Sequence, residues 1–239
     1  VVLSRGLGDV YKRQKPNNLP NWLWDFEARP ISEDDKDNLK SYERISKRGF
    51  KGSLYKTDEF INQHPFGTVP AGFVGDEHLG VFESNSILRA VARECKDKTL
   101  YGGEDINLKS RIDSYLDANL VFSREFQVYL LELEDITKYT YERTKSAYQF
   151  YMDGLENSLS KNNFLAGDSL SIADISFVCE FAQFLREGHY LNQLKSKNLS
   201  LISENFQTDY PLTFKHFKNL CNRKEFSDVM GTYLDWYKM

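Results

Sequence analysis

Residues 60–92, Phe60 to Ala92, read FINQHPFGTVPAGFVGDEHLGVFESNSILRAVA, and the order of elements in this stretch decides the fold. A short helix ends at Pro65 and Gly67, and Val69-Pro70 leads into a strand over Pro70–Val74. Gly75-Asp76-Glu77-His78 turns the chain into a second strand, Leu79–Phe82. Ser84 then opens a helix, with Ile87, Leu88, Val91, Ala92 and Cys95 at three- and four-residue steps. Val69 is biased to extended geometry because the ring of Pro70 disfavours the helical region for the residue before it. If that peptide bond is cis, the Val69 N–H and C=O turn outward, and an extended ligand can pair with them as an added strand. At the far side of the hairpin, Glu83-Ser84 falls where strand passes into helix. The first N–H groups of a helix lack internal partners and point at any carboxylate placed there. Together these features describe a groove for a small anionic peptide.

Upstream, Trp22-Leu23-Trp24-Asp25-Phe26 is an aromatic cluster, either a helix end or a core strand, broken by Arg29-Pro30-Ile31. Ser32 to Arg48 is polar and reads as a solvated helix or a long loop; Gly49 to Ser53 reads as a flexible loop. Thr57 to Gln63 fits a short helix. The first fourteen residues, VVLSRGLGDVYKRQ, show no sustained period and lack a starting Met, and GDVYKRQ looks like a translated sequencing adapter. Residues 1–14 are therefore set aside as a non-native leader; they have no continuous apolar core and do not read as a signal peptide.

Downstream, Lys96 to Asn107, with Gly102-Gly103, reads as a linker between a domain over 15–97 and a domain over 105–239. The second domain is almost wholly helical. One long helix begins with Leu108, Ile112, Tyr115, Leu116, Leu120 and Val121 and continues through Leu130. Tyr148, Met152, Leu155 and Leu159 mark the buried face of the next. Ser171 to Leu185 is apolar nearly all round, as in a helix enclosed by others. Pro211 suits the first turn of a further helix. The fold class is thus α/β plus all-α: a small α/β piece followed by a helical bundle.

Composition narrows the functions. With 41% hydrophobic and 28% charged residues, the 239-residue chain has an ordinary globular make-up. A net charge of −4 leaves no footprint for nucleic acid, and no apolar run is long enough to span a bilayer. Cys95, Cys179 and Cys221 are too few and too widely spaced for a disulfide framework or a metal cluster and read as buried, reduced thiols of a cytosolic protein. His64, His78, His189 and His216 lack metal-ligand spacing and read as surface or loop residues.

His64-Pro65-Phe66-Gly67-Thr68-Val69-Pro70, followed by Phe82-Glu83-Ser84-Asn85-Ser86-Ile87, resembles the glutathione-binding half of the glutathione transferases, whose pattern is NPFG-x-VP and then FES-x-[AS]-I. Phe164 to Asp174, FLAGDSLSIAD, resembles the buried capping segment of the helical domain in the same family. The likeness covers roughly Trp22 to the end of the chain, loosely over Trp22–Ser53. It implies a thioredoxin-like domain followed by a helical-bundle domain. Such a domain opens with a strand, a helix and a second strand before the Val-Pro step. Here those elements must come from residues 1 to about 50, with the first strand missing or replaced, so that the thioredoxin-like domain is incomplete.

The resemblance also implies a function: a cytoplasmic, homodimeric detoxification enzyme that conjugates the glutathione thiolate to a small hydrophobic electrophile. Glutathione is then a co-substrate, with no further cofactor, no metal and no nucleic-acid or membrane partner. The alternative is a non-catalytic module of the same fold, of the translation-factor or synthetase-complex type. By resemblance, Glu83 pairs the γ-glutamyl ammonium and Ser84 binds the γ-glutamyl carboxylate. Val69 pairs with the cysteinyl backbone through two hydrogen bonds of about 1 kcal/mol each. Thr68 stands where the family often has Gln or Lys. Tyr55-Lys56 aligns with a His-Lys pair that meets the glycyl carboxylate, with Lys51 as a nearby alternative. Pro70 is structural.

A Tyr, Ser or Cys near the start of the first strand usually activates the thiol in this family. No residue here matches that role. Ser4 and Tyr11 have the right types but lie in the leader, and Asn17 and Asn18 carry amides without motif support. Ser171 and Asp174 form an S-x-x-D capping box, whose loss costs about 1–2 kcal/mol, or more if buried. Among 14 Tyr and 17 Phe, Tyr115, Phe122, Phe126 and Tyr129 are candidates for an acceptor pocket or for core packing. Arg111 and Asp113 read as a solvated helix face or an interdomain ion pair.

Overall fold

The computed structural model describes residues 2–4, 22–45 and 53–230. The chain divides into two units, Val1–Glu94 and Cys95–Met239. In chain order the first contains β1 (Val2–Ser4), β2 (Trp22–Trp24), β3 (Arg29–Pro30), α1 (Leu39–Tyr42), β4 (Glu43–Ile45) and β5 (Ser53–Lys56). It continues with α2 (Asp58–Gln63), β6 (Ala71–Val74), β7 (Leu79–Phe82) and α3 (Ser84–Glu94).

Of the two readings of the Trp22 cluster, the strand is the one formed. Leu23 and Trp24 are both buried, as befits a strand covered on two faces. β2 runs parallel to β5, with Leu23 opposite Tyr55 and Trp24 opposite Lys56. β3 and β4 flank the pair antiparallel, giving a mixed four-stranded sheet ordered β3-β2-β5-β4. A parallel pair needs a long crossover, and here it contains α1 and β4. The polar stretch after Pro30 is neither one helix nor an open loop. Asp35 gathers it: its carboxylate accepts the Ser32 N–H at 2.7 Å and the Ser32 hydroxyl at 2.6 Å. It also receives two Arg29 nitrogens at 2.7 and 2.9 Å, while Arg29 Nε holds Asp25 at 2.8 Å. The Arg29 guanidinium, then Ser32, holds the Asp35 carboxyl well below the usual range.

β1, β6 and β7 form a separate antiparallel sheet, with Val2 opposite Phe73 and Ser4 opposite Ala71. The strand beside β6 thus comes from the start of the leader, where three residues are too short to show a period. The rest of the leader, with Tyr11, and Asn17, Asn18 and Lys51 lie outside the described residues. Gly80 of β7 tolerates no side chain, since a Cβ there would sit 1.9 Å from the Gln63 carbonyl oxygen. This close approach sets the end of α2 against the hairpin.

The second unit opens with a 3₁₀ turn, Lys98–Tyr101. Tyr101 is buried and its hydroxyl donates to Asp113 at 3.0 Å, so the segment read as a linker is a built corner. Gly102 makes that corner possible: its φ is +75°, and a Cβ would lie 3.0 Å from the Lys109 nitrogen. Then follow α4 (Ile106–Glu132), α5 (Lys138–Leu159), α6 (Ile172–Phe184), α7 (Leu191–Ser196), α8 (Phe206–Asp209), α9 (Pro211–Cys221) and α10 (Lys224–Met230). Asp105 caps α4 through the Asn107 and Leu108 N–H groups, and Thr137 caps α5. Rings fill the interior: Phe122 stacks on Tyr151 at 4.9 Å, and Phe181 meets Phe206 at 4.6 Å and Phe217 at 5.2 Å. Tyr129 is fully buried and its hydroxyl donates to Glu187 at 2.7 Å. Phe122, Phe126 and Tyr129 are therefore core residues, and the Tyr115 hydroxyl is bonded to Ser158 at 2.6 Å. Arg111 lies over the ring of Tyr115 on its own helix.

Candidate functional site

The groove residues lie around the open end of the β6–β7 hairpin. Ala71 pairs with Phe82 at the last rung. Val69 lies two residues before that rung and Ser84 two residues after it. The Val69–Pro70 bond is cis. The Val69 side chain packs against Trp24, which anchors this edge to the sheet. Among the described residues, no backbone hydrogen bond uses the Val69 N–H or C=O. Glu83 has a φ of +68°, a left-handed turn that ends the strand and lets Ser84 start α3. Ser84 is half-buried at the first position of this eleven-residue helix.

Lys56 and Thr68 are engaged within the protein. Lys56 Nζ donates to the Gly67 carbonyl, and burial, then the nearby Arg44 charge, pushes its pKa down. Thr68 is taken up by His64: imidazole Nε2 lies 2.8 Å from the Thr68 carbonyl oxygen, 3.1 Å from its nitrogen and 3.3 Å from its hydroxyl. Tyr55 is half-buried in β5.

His64 corrects the reading of the histidines. It is fully buried, stacked on Phe82 at 4.5 Å and 5°. His216 is also buried, 2.9 Å from Asp174, whereas His189 is exposed. The clue was present: His64 stands where the resembling pattern has Asn, a residue short and polar enough to bond its own loop. The thiols differ from expectation as well. Cys179 is exposed, and Cys95, just past the end of α3, and Cys221, the last residue of α9, are half-buried. No group of His, Cys, Asp or Glu among the described residues is placed to hold a metal ion, and no helix among them is long and apolar enough to cross a membrane.

Burial is the main cause that pushes the His64 pKa down, partly opposed by the Thr68 carbonyl. For a base, a lowered folded pKa means that its contribution to stability is present above the unfolded value of about 6.5 and is lost as pH falls below it. Thermal melts should show the first unit weakening between about pH 7 and pH 5, and His64→Asn should flatten that dependence. An unchanged pH profile in His64→Asn would mean that the imidazole stays neutral throughout.

With this geometry in place, comparison defines the class. A model of the glutathione S-transferase C-terminal domain matches residues 130–224. The glutathione transferase URE2P5 of Phanerochaete chrysosporium superposes with a TM-score of 0.60 at 18% identity, covering 77% of this chain and 85% of that one. URE2P6 of the same organism, in complex with oxidized glutathione, gives a TM-score of 0.59 at 21% identity, covering 75% and 79%. Residues 130–224 thus match the C-terminal domain of the glutathione S-transferases, and the chain has a glutathione S-transferase-like fold.

Relatives identified by sequence include elongation factor 1-gamma proteins. Elongation factor 1-gamma 1 of Oryza sativa subsp. japonica is 29% identical over 198 residues, which is 78% of this chain and 42% of that protein. Elongation factor 1-gamma of Rattus norvegicus is 26% identical over 183 residues, 75% of this chain and 38% of its own. The chain thus spans about two-fifths of the length of these relatives.

Proposed function

We propose that this chain is a non-catalytic docking module of the elongation factor 1-gamma type, which keeps the glutathione-transferase fold and does not activate a thiol. The observation that carries this reading is where the polar groups of the groove are spent. Lys56 is bonded to Gly67 and Thr68 to His64, so two of the groups that would meet a tripeptide instead brace their own loop. The stretch from Trp22 to Pro30, which holds β2 and β3, contains no hydroxyl or thiol. The elongation factor relatives favour docking over chemistry. Exposed apolar residues suit a protein partner: Val121, Val128 and Leu131 on α4, and Phe150 on α5 at 81% exposure.

Conjugation of glutathione to 1-chloro-2,4-dinitrobenzene tests the proposal. The expected rate with the protein equals the rate without it. Turnover that saturates with glutathione and falls in Ser84→Ala would instead support a second reading, a glutathione transferase, which the cis Val69–Pro70 edge and the Glu83-Ser84 helix start favour.

A further inference from the structure

His64 follows the last residue of α2, and its buried ring sits against the loop over residues 65–69 that carries the groove edge. The ring stacks on Phe82 of β7 at 4.5 Å and tilts against Phe60 of α2 at 5.7 Å. Its Nε2 reaches three atoms of Thr68: the carbonyl oxygen at 2.8 Å, the amide nitrogen at 3.1 Å and the hydroxyl at 3.3 Å. Nδ1 is buried too and has no hydrogen-bond partner among the described residues. A neutral imidazole carries one N–H and one lone pair. Nε2 therefore serves either the carbonyl or the amide of Thr68, and in each tautomer Nδ1 stands alone. Two further bonds hold the same loop: the Gly67 amide donates to the His64 carbonyl at 2.8 Å, and Lys56 Nζ donates to the Gly67 carbonyl.

A second proton changes this arrangement. Both ring nitrogens become donors. Nε2 can then serve only the carbonyl, the Thr68 amide loses its acceptor, and the Nδ1 N–H is a charged donor shut away with nothing to receive it. An unpaired charged donor in an apolar pocket is far more costly than an unpaired lone pair. Burial accordingly pushes the His64 pKa down, against the pull of the Thr68 carbonyl. The charged groups facing the ring are Lys56 of β5, which opposes the proton, and Glu83 ahead of α3, which favours it. Asp58 and Glu59 of α2 are exposed, and β6 and β7 carry no charged residue. Pro65, Phe66 and Thr68 are exposed, so solvent that can pair both N–H groups is close at hand.

We propose that His64 is a proton-operated latch on the 65–69 loop: the neutral ring holds Thr68 and keeps the groove braced, and the imidazolium leaves its pocket and frees Thr68 and the Val69 edge for an extended peptide. The latch rests on the reading that the polar groups of the groove are spent on their own loop, and it supplies the condition under which they are released. Since the folded ring takes its proton less readily than a free one, release falls below about pH 6.5.

Amide hydrogen exchange of the full chain at about pH 7.5 and about pH 5, corrected for the intrinsic rates, tests this. Peptides covering Gly67 and Thr68 should exchange about tenfold faster at the lower pH, while those from the core of α4 stay unchanged. Calorimetric titration with reduced glutathione should show Kd about tenfold lower at the lower pH. His64→Asn should remove both pH dependences. His64→Gln, whose amide still donates to the Thr68 carbonyl, should stay braced and bind glutathione weakly at both pH values, and it keeps the test open where the asparagine variant does not fold. Loop exchange that is independent of pH in the unaltered chain would overturn the proposal. So would a pH response of equal size in His64→Gln, which would assign it to another group, or an affinity for glutathione that does not rise with the loop's exchange. Dinitrobenzene turnover, on which the docking reading stands or falls, enters none of these measurements, so the two fail separately.

Discussion

Asp174→Ala should unfold the helical unit or leave it barely stable. The carboxylate is fully buried and accepts from four donors on three segments. Oδ1 takes the Leu165 N–H at 3.0 Å and faces His216 Nε2 at 2.9 Å. Oδ2 takes the Ser171 N–H at 2.9 Å and its hydroxyl at 3.0 Å. Alanine leaves all four partners buried without an acceptor, a loss of about 3–5 kcal/mol. Ser171→Ala, which removes only the cap, should cost about 1 kcal/mol. Urea denaturation of both variants separates the roles: equal losses would mean that Asp174 acts only as a capping residue and ties no other segment.

The second large effect is expected at Glu187, also fully buried. Its Oε1 accepts the Ser203 N–H at 2.8 Å and hydroxyl at 2.6 Å; its Oε2 accepts the Tyr129 hydroxyl at 2.7 Å and the Ile202 N–H at 3.1 Å. Every partner is a donor. Glu187→Gln keeps the shape but turns an amide NH₂ toward two of them, so it should cost about 2–4 kcal/mol. Tyr129→Phe removes one donor and should cost about 1 kcal/mol. Chemical denaturation of the two variants checks the order. If Glu187→Gln cost no more than Tyr129→Phe, ordered water rather than the carboxylate would be satisfying the 202–203 backbone.

Why the helical unit could be read is clear from particular residues. Its helices announce themselves by steps of three and four, as in Tyr148, Met152 and Leu155, and by caps such as Ser171, because each helix is a local object that buries one face. The hairpin and its flanking helix were legible for the same reason: Pro70, the Gly75–His78 turn and Ser84 act through their immediate neighbours. The start of the chain was not. β2 and β3 are three and two residues long, and β5 is four, too short for any period to show. The parallel pairing of β2 with β5 joins residues some thirty positions apart, as Leu23 with Tyr55. At the groove, residue types were readable and their commitments were not. Nothing local to Lys56 says that its ammonium turns to Gly67, and nothing in HPFGT says that the imidazole folds back onto Thr68. Those contacts separate a groove open to a tripeptide from one that braces itself.

Ultraviolet difference spectroscopy of the protein with excess glutathione tests most directly the proposal that this chain does not activate a thiol. Thiolate absorption should follow that of free glutathione, whose thiol titrates near a pKa of about 8.5, with no added band at neutral pH. A thiolate band at neutral pH that grows with protein concentration and disappears in Ser84→Ala would contradict the account and place this chain among the catalysts.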